Sequence, residues 1–68
     1  MEPGEKCICS EDGLYNAFGH KAEVLYRGMR LIVKSSHFVG GTRFYSFEET
    51  PADNYYVFDA FTPLRSLN

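Results

Sequence analysis

Two cysteines and two histidines are the residues of this 68-residue chain that carry the donor atoms of a zinc site. Cys7 and Cys9 are one residue apart, whereas the cysteine pairs of structural zinc sites are typically separated by about two to four residues. On a strand the two thiols point the same way but chelate poorly, and His20 and His37 are isolated in the sequence. The pattern therefore predicts no metal, no other cofactor and no Cys7–Cys9 disulfide. It favours two reduced thiols that pack as small apolar groups.

A nucleophile, a histidine and an acid can also be selected, for example Cys9, His20 and Asp12. In a short chain with many serines such a trio arises by chance, and no nucleophile-elbow motif surrounds it. No glycine-rich phosphate loop is present, because Gly40-Gly41 joins two predicted strands and does not open a helix. Glu48 and Glu49 are neighbours that point to opposite faces, so they are not a carboxylate pair. The sequence therefore predicts that the chain is not an enzyme.

The clearest structural signal is the stretch from Arg30 to Phe47, which predicts a β-hairpin. Both arms are rich in β-branched and aromatic residues. The centre, Gly40-Gly41, adopts positive φ without steric cost. A small sheet can be built on this hairpin.

Two registers of the hairpin are possible. A two-residue Gly-Gly loop places Val33 opposite Glu48, whereas a three-residue loop, Val39-Gly40-Gly41, places Val33 opposite Phe47. The three-residue loop keeps one face more consistently apolar, and a slip by one residue turns every side chain over. We therefore expect the three-residue loop, with Gly41 left-handed at a bulge.

The other segments predict a small all-β domain around the hairpin. They are a strand at 5–10, a long excursion at 14–27 that packs its aromatics onto the sheet, a strand at 55–57, a 3₁₀ turn at 58–60 and an edge strand at 61–64. This order is the layout of an SH3-like barrel. We expect five strands in a partly open barrel, with a long first loop and one 3₁₀ turn before the last strand.

Length and composition limit the domain and its location. A chain this short buries only roughly 60% of the surface that it exposes when unfolded, so we expect a single domain over 1–68. Its ordered core is expected at 5–64, with flexible ends at 1–4 and 65–68. The acidic N-terminus lacks the apolar stretch of a signal peptide, and no apolar run is long enough to cross a membrane. We therefore expect a cytoplasmic protein with no membrane partner.

Several motifs resemble those of a known group of proteins. They are GEKCIC at 4–9, a Gly-x-x-apolar-x-Val strand at 28–33, an aromatic strand that ends in Glu48-Glu49, and an aromatic-x-x-x-x-Phe-x-Pro-Leu close at 56–64. With these motifs the chain resembles small, mostly uncharacterised proteins of bacterial prophages and other mobile elements. The resemblance covers most of the chain but not Gly13 to Arg27. It implies an SH3-like barrel and no established chemistry.

A candidate binding surface follows from the expected register. It places Ile32, Phe38 and Phe44 on the face away from the core, beside Lys34. A bend near Ser35-Ser36, or the excursion folding over the patch, would instead bury these side chains. An exposed apolar patch with a basic neighbour is typical of an interface. The sequence therefore predicts a non-catalytic module that binds a protein partner or a second copy of this chain.

Two other binding modes are possible. Lys34, Arg43 and the nearby aromatics predict nucleic-acid binding as the alternative function, although the net charge of −2 lacks a basic footprint. Tyr15 and Phe18 lie in the run GLYNAF, which is similar to the Ala-Leu-Tyr-Asp-Tyr run with which SH3 domains dock polyproline helices. This chain has no tryptophan to complete that groove. A role for Tyr15 and Phe18 in covering one end of the barrel is the simpler expectation.

Overall fold

The computed structural model describes residues 1–14 and 24–67. In that part of the chain the secondary structure is five β-strands and two 3₁₀ turns, with no α-helix. The strands are β1 (Lys6–Cys9), β2 (Arg30–Val39), β3 (Thr42–Phe47), β4 (Tyr56–Val57) and β5 (Phe61–Pro63), and the 3₁₀ turns are Phe58–Ala60 and Leu64–Leu67. The prediction of an all-β fold with a 3₁₀ turn before the last strand is confirmed. No helix in this part has the length and apolarity of a membrane span.

The five strands form one antiparallel sheet in the order β4-β3-β2-β1-β5. β2 is long enough to pair with two strands. Its first residues pair with β1, and its later residues pair with β3. The 3₁₀ turn Phe58–Ala60 leads from β4 at one edge to β5 at the other. The two edge strands do not pair, so the sheet curls without closing. This is the partly open, SH3-like arrangement that the order of elements predicts.

The hairpin loop differs from the predicted one. Val39 pairs with Thr42, so the loop has two residues. The prediction of a three-residue loop was therefore wrong. Gly40 and Gly41 have φ of 57° and 82°. Positive φ at both central residues is what a type I′ turn requires, and this turn matches the natural twist of a two-stranded ribbon.

Val33 nevertheless lies opposite Phe47, as predicted. The register shifts between Val33 and Ser35, where Lys34 is an extra residue in β2. This β-bulge compensates for the shorter loop, so the pairing near the core matches the prediction although the loop does not. The bulge predicted at Gly41 was wrong, although Gly41 does have the predicted positive φ, and the bulge of this hairpin lies at Lys34.

The Gly-Gly turn allows a test of the register. We expect Gly41→Val to lower the free energy of unfolding by roughly 1–2 kcal/mol, because a β-branched residue is strained at positive φ. A Cβ at this position would meet no atom within 4 Å, so the cost is conformational and not a clash. Gly40→Asn is the matched control and should change stability little, since asparagine tolerates this conformation. Urea unfolding of both variants checks the prediction, and equal stability of the two would contradict the type I′ assignment.

The core lies on one face of the sheet, with Phe47 at its centre. The ring centroid of Phe47 is 4.6 Å from that of Phe61, 6.0 Å from Tyr56 and 6.3 Å from Tyr45. The other buried apolar residues are Cys7, Cys9, Leu25, Leu31, Val33 and Ala60. Each aromatic ring removes a large apolar area from water, which is how so short a chain builds a core.

The buried polar side chains of the core have hydrogen-bond partners. Ser46 is bonded to Ser35, the Thr50 hydroxyl donates to the carbonyl oxygen of Phe47, and the Asn54 amide donates to the Tyr56 hydroxyl. Burial of these groups therefore does not leave them unsatisfied, which would be costly.

The two ends of the long excursion are joined. Leu14 and Leu25 form an isolated bridge, with N···O distances of 2.7 and 2.8 Å. The excursion was predicted to pack its aromatic residues onto the sheet, but Leu25 is fully buried in the core while its aromatic neighbour Tyr26 is 60% exposed. The other aromatic residues of the excursion, Tyr15 and Phe18, lie outside the described residues.

Candidate functional site

The two cysteines are buried and free, as small apolar groups in the core are expected to be. They alternate along β1 with Lys6 and Ile8, so both thiols point inward. Burial, reinforced by the negative charge of Glu49, raises the pKa of the Cys7 thiol from 9.0 to about 12. A thiol that stays protonated is a poor nucleophile and a poor metal ligand. Among residues 1–14 and 24–67 no cluster of three His, Cys, Asp or Glu is placed to hold a metal.

The predicted apolar group of Ile32, Phe38 and Phe44 is not formed. Phe44 lies opposite His37, and Phe38 lies opposite Arg43. Opposite residues share a face and neighbours alternate, so Phe38 and Phe44 lie on opposite faces of the hairpin. The predicted loop was one residue too long, and a shift of one residue reverses the face of every side chain beyond it.

Phe38 lies on the same face as the core but beyond its end. Along β3, Arg43 alternates onto the face that Tyr45 and Phe47 share, and Phe38 faces Arg43. The bulge at Lys34 therefore turns Phe38 to the core face, so its predicted position on the other face was wrong; a bend near Ser35-Ser36 was the alternative that would have had this effect. The core does not reach this far, however, and Phe38 remains 66% exposed. Ile32 and Phe44, on the other face, are half-buried.

Arg43 stacks on the exposed ring. Its guanidinium carbon lies 4.7 Å from the Phe38 ring centroid. In the described part of the chain the ion pairs join Arg27 to Asp12 and Arg65 to Glu5, so Arg43 has no carboxylate partner there. Its Nε is buried and has no hydrogen-bond partner among the described residues. The contact that the structure shows for the guanidinium is therefore with an aromatic ring and not with a carboxylate.

The outer edge of β2 is open beside Phe38. The N-terminal segment covers this edge as far as Val33, whose N–H donates to the Glu5 carbonyl oxygen at 2.9 Å and whose carbonyl oxygen accepts from the Gly4 N–H at 2.7 Å. From residue 34 to residue 39, β3 is the only neighbour of β2 within the described residues. These six residues form about 20 Å of strand edge, and the backbone groups that point away from β3 have no partner among residues 1–14 and 24–67.

Part of this edge has the usual protection against unwanted pairing. Lys34 and the bulge interrupt its beginning, and both features are common means of blocking an edge strand. The rest, Ser35–Val39, carries no charged side chain and ends in two exposed apolar residues, Phe38 and Val39. We refer to residues 34–39 as the open edge.

The face of the hairpin opposite Phe38 holds a second group of side chains. The Ser35 hydroxyl lies 2.8 Å from Nε2 of His37, and the His37 ring meets the Tyr55 ring edge-on at a centroid distance of 4.7 Å. The Ser35 hydroxyl is also hydrogen-bonded to the hydroxyl of the buried Ser46. No carboxylate of the described residues is hydrogen-bonded to the imidazole. These contacts hold the imidazole ring of His37 in place.

The fixed ring forms one wall of a groove along the open edge. This groove has a volume of about 530 Å³ and is lined by Ser36, His37, Phe38, Val39 and Tyr55. Sequence reasoning missed four of the five lining residues: Ser36, His37, Val39 and Tyr55. The preference of a Gly-Gly pair for a two-residue turn was the signal that would have placed the three on β2, whereas no local signal placed Tyr55.

Three other predicted site residues in the described part of the chain, Ile32, Lys34 and Phe44, do not line this groove. Ile32 lines a smaller groove of about 250 Å³ near Lys6, Arg30 and Glu49, where its N–H donates to the Glu49 carboxylate at 2.9 Å. Lys34 is exposed at the bulge. The structure therefore brings together Phe38 and Arg43, and keeps Ile32 and Phe44 apart from them.

A scan of protein-family models, a search of curated proteins and a search of solved structures found no significant match to this chain. The resemblance to barrels of prophages and mobile elements therefore stays a prediction.

Proposed function

We propose that this chain is a non-catalytic binding module that takes up an extended protein segment as an added strand on the open edge. The observation that carries the proposal is the outer edge of β2 beside the exposed Phe38, which no strand of the described residues covers. Strand addition is a common mode of peptide recognition. Main-chain hydrogen bonds supply affinity, and alternate side chains supply specificity.

The side chains along the open edge support this mode. An added strand places one row of its side chains beside Phe38 and the other row beside the groove of His37 and Tyr55. Covering Phe38 would contribute about 1.5–3 kcal/mol if the ring became fully buried. The edge therefore offers both a backbone template and an apolar anchor, which is the combination that a short extended segment needs.

Peptides selected from a random library against the purified chain test the proposal. We expect the selected peptides to bind as extended segments and to protect the backbone amides of the open edge from hydrogen exchange. Phe38→Ser should weaken their binding about tenfold, because it removes the apolar anchor.

The matched control is Tyr26→Ser. Tyr26 is an aromatic residue of similar exposure, 60%, that precedes β2 at its other end. Since about 26 Å of strand separates Arg30 from Phe38, Tyr26→Ser should leave binding unchanged. Both variants should fold normally, because exposed positions contribute little to stability. Equal binding by both variants, or protection outside residues 34–39, would count against strand addition.

Nucleic-acid binding is the second candidate. Lys34 and Arg43 lack acidic partners among the described residues, and the Phe38 ring is exposed for stacking on a base. Titration with a single-stranded oligonucleotide at several salt concentrations separates this candidate from the first. Phosphate contacts make affinity fall steeply as salt rises, whereas main-chain pairing to a neutral peptide changes little.

A further inference from the structure

The charges around the open edge indicate which kind of segment it takes. Between residues 24 and 47 the chain has four cations and no Asp or Glu. Arg27 is paired with Asp12, but Arg30, Lys34 and Arg43 have no ion-pair partner in the described part of the chain. Two of these cations lie at the open edge. Lys34 is its first residue, and Arg43 lies opposite Phe38 near its other end.

The stack on Phe38 brings the charge of Arg43 towards the edge. The backbone of Arg43 is on β3, which is one strand further from the edge than β2. Neighbouring strands are about 4.8 Å apart, and the guanidinium lies over a ring that belongs to β2. The positive charge therefore lies within reach of a side chain on a strand added to β2. A planar guanidinium held in this way is suited to a carboxylate.

Lys34 sets a second position for negative charge. It lies four residues before Phe38, which corresponds to about 13 Å along the strand. A segment paired to the open edge would bring residues that are four apart in its own sequence close to Lys34 and to the Phe38–Arg43 stack. The two cations therefore define both the sign of the charges on the bound segment and the spacing between its charged residues.

We infer that the segment bound at the open edge is acidic, with two carboxylates four residues apart and uncharged residues between them. The inference rests on the proposed function, since it assumes that a segment pairs with β2. A second copy of this chain fits less well, because edge-to-edge pairing would bring two sets of Lys34 and Arg43 together. A nucleic acid fits less well too, since two cations on a chain with a net charge of −2 form a small basic footprint.

Three synthetic peptides test the inference by calorimetric titration of the full chain. The acidic peptide is Thr-Glu-Val-Thr-Val-Glu-Val-Thr, and glutamine or lysine replaces both glutamates in the other two. At low salt the acidic peptide should bind about tenfold more tightly than the glutamine peptide, and the lysine peptide more weakly still. The difference should shrink as salt is raised, because these charges lie near the surface.

Variants of the chain assign the effect to the two cations. Arg43→Gln and Lys34→Gln should each reduce severalfold the ratio of the affinity for the acidic peptide to the affinity for the glutamine peptide, because this ratio isolates the contribution of the charge. Arg30→Gln is the matched control, because Arg30 is an exposed cation on the same strand, in the part that β1 covers. The Arg30→Gln variant should prefer the acidic peptide as strongly as the unsubstituted chain does. Amide spectra of all three variants show whether each one is folded.

The possible failures are distinguishable. Equal binding of all three peptides at the open edge would overturn the acidic inference and leave the proposed function standing. If no peptide binds and a single-stranded oligonucleotide does, both proposals fall. Concentration-dependent protection of the open edge without any peptide would identify a second copy as the occupant, and would also overturn the acidic inference.

Discussion

Phe47→Ala is expected to leave much of the domain unfolded at 25 °C. The Phe47 ring is fully buried, and three other aromatic rings surround it. Removing a ring from a packed core costs about 3–5 kcal/mol, because apolar burial is lost and a cavity remains. A single core in a chain below about 70–80 residues rarely supplies more than roughly 3–5 kcal/mol of stability, and this chain has 68 residues. The loss therefore approaches or exceeds the whole margin.

Urea unfolding followed by tyrosine fluorescence and circular dichroism measures the effect. Phe38→Ala is the matched control, because it removes an equal ring that is 66% exposed. We expect the control to change the free energy of unfolding by less than about 0.5 kcal/mol. A Phe47→Ala variant as stable as the control would show that Phe47 is not the centre of the core.

Alkaline pH should destabilise the domain through Cys7. Burial raises the pKa of this thiol from 9.0 to about 12 in the folded chain. Below pH 9 the thiol is protonated in both states, and its contribution to stability is fully present. Between pH 9 and about 12 the thiol ionises in the unfolded chain but not in the folded one, so stability falls as pH rises. The slope is about 1.4 kcal/mol per pH unit, up to roughly 4 kcal/mol in total.

Chemical denaturation at intervals from pH 7 to 11 measures this loss. Tyrosines also titrate in this range, so the comparison is with Cys7→Ala, which keeps every tyrosine and removes the thiol. The variant starts less stable because a small cavity forms, but its stability should fall less steeply above pH 9. Parallel curves for the two proteins would contradict the raised pKa of Cys7.

The strands and their order could be predicted from the sequence because their signals are local. β-branched and aromatic runs, the Gly-Gly pair and the placement of Pro63 each depend on the conformation of a few neighbouring residues. The inward direction of Cys7 and Cys9 follows from simple alternation along one strand. The pairing of Val33 with Phe47 was also predicted, since both residues need the same apolar face.

The composition of the candidate site could not be predicted in the same way. Whether Phe38 shares a face with Phe44 depends on loop length and on the bulge at Lys34, and these two features compensate for each other near the core. A local pattern that is satisfied at Val33 and Phe47 therefore leaves the outer half of the hairpin undetermined. One residue of difference reversed the predicted surface.

Only the tertiary structure decided where an open edge lies. The sequence predicted the strands themselves, but it did not show that β1 and the residues before it pair with β2 only as far as Val33, where Gly4 and Glu5 supply the backbone hydrogen bonds. The meeting of His37 with Tyr55, and of Arg43 with the Phe38 ring, likewise depends on residues that are five to eighteen positions apart. Local preferences determine which residues are extended. Pairing between distant segments determines which backbone groups stay unpaired and which side chains stand beside them.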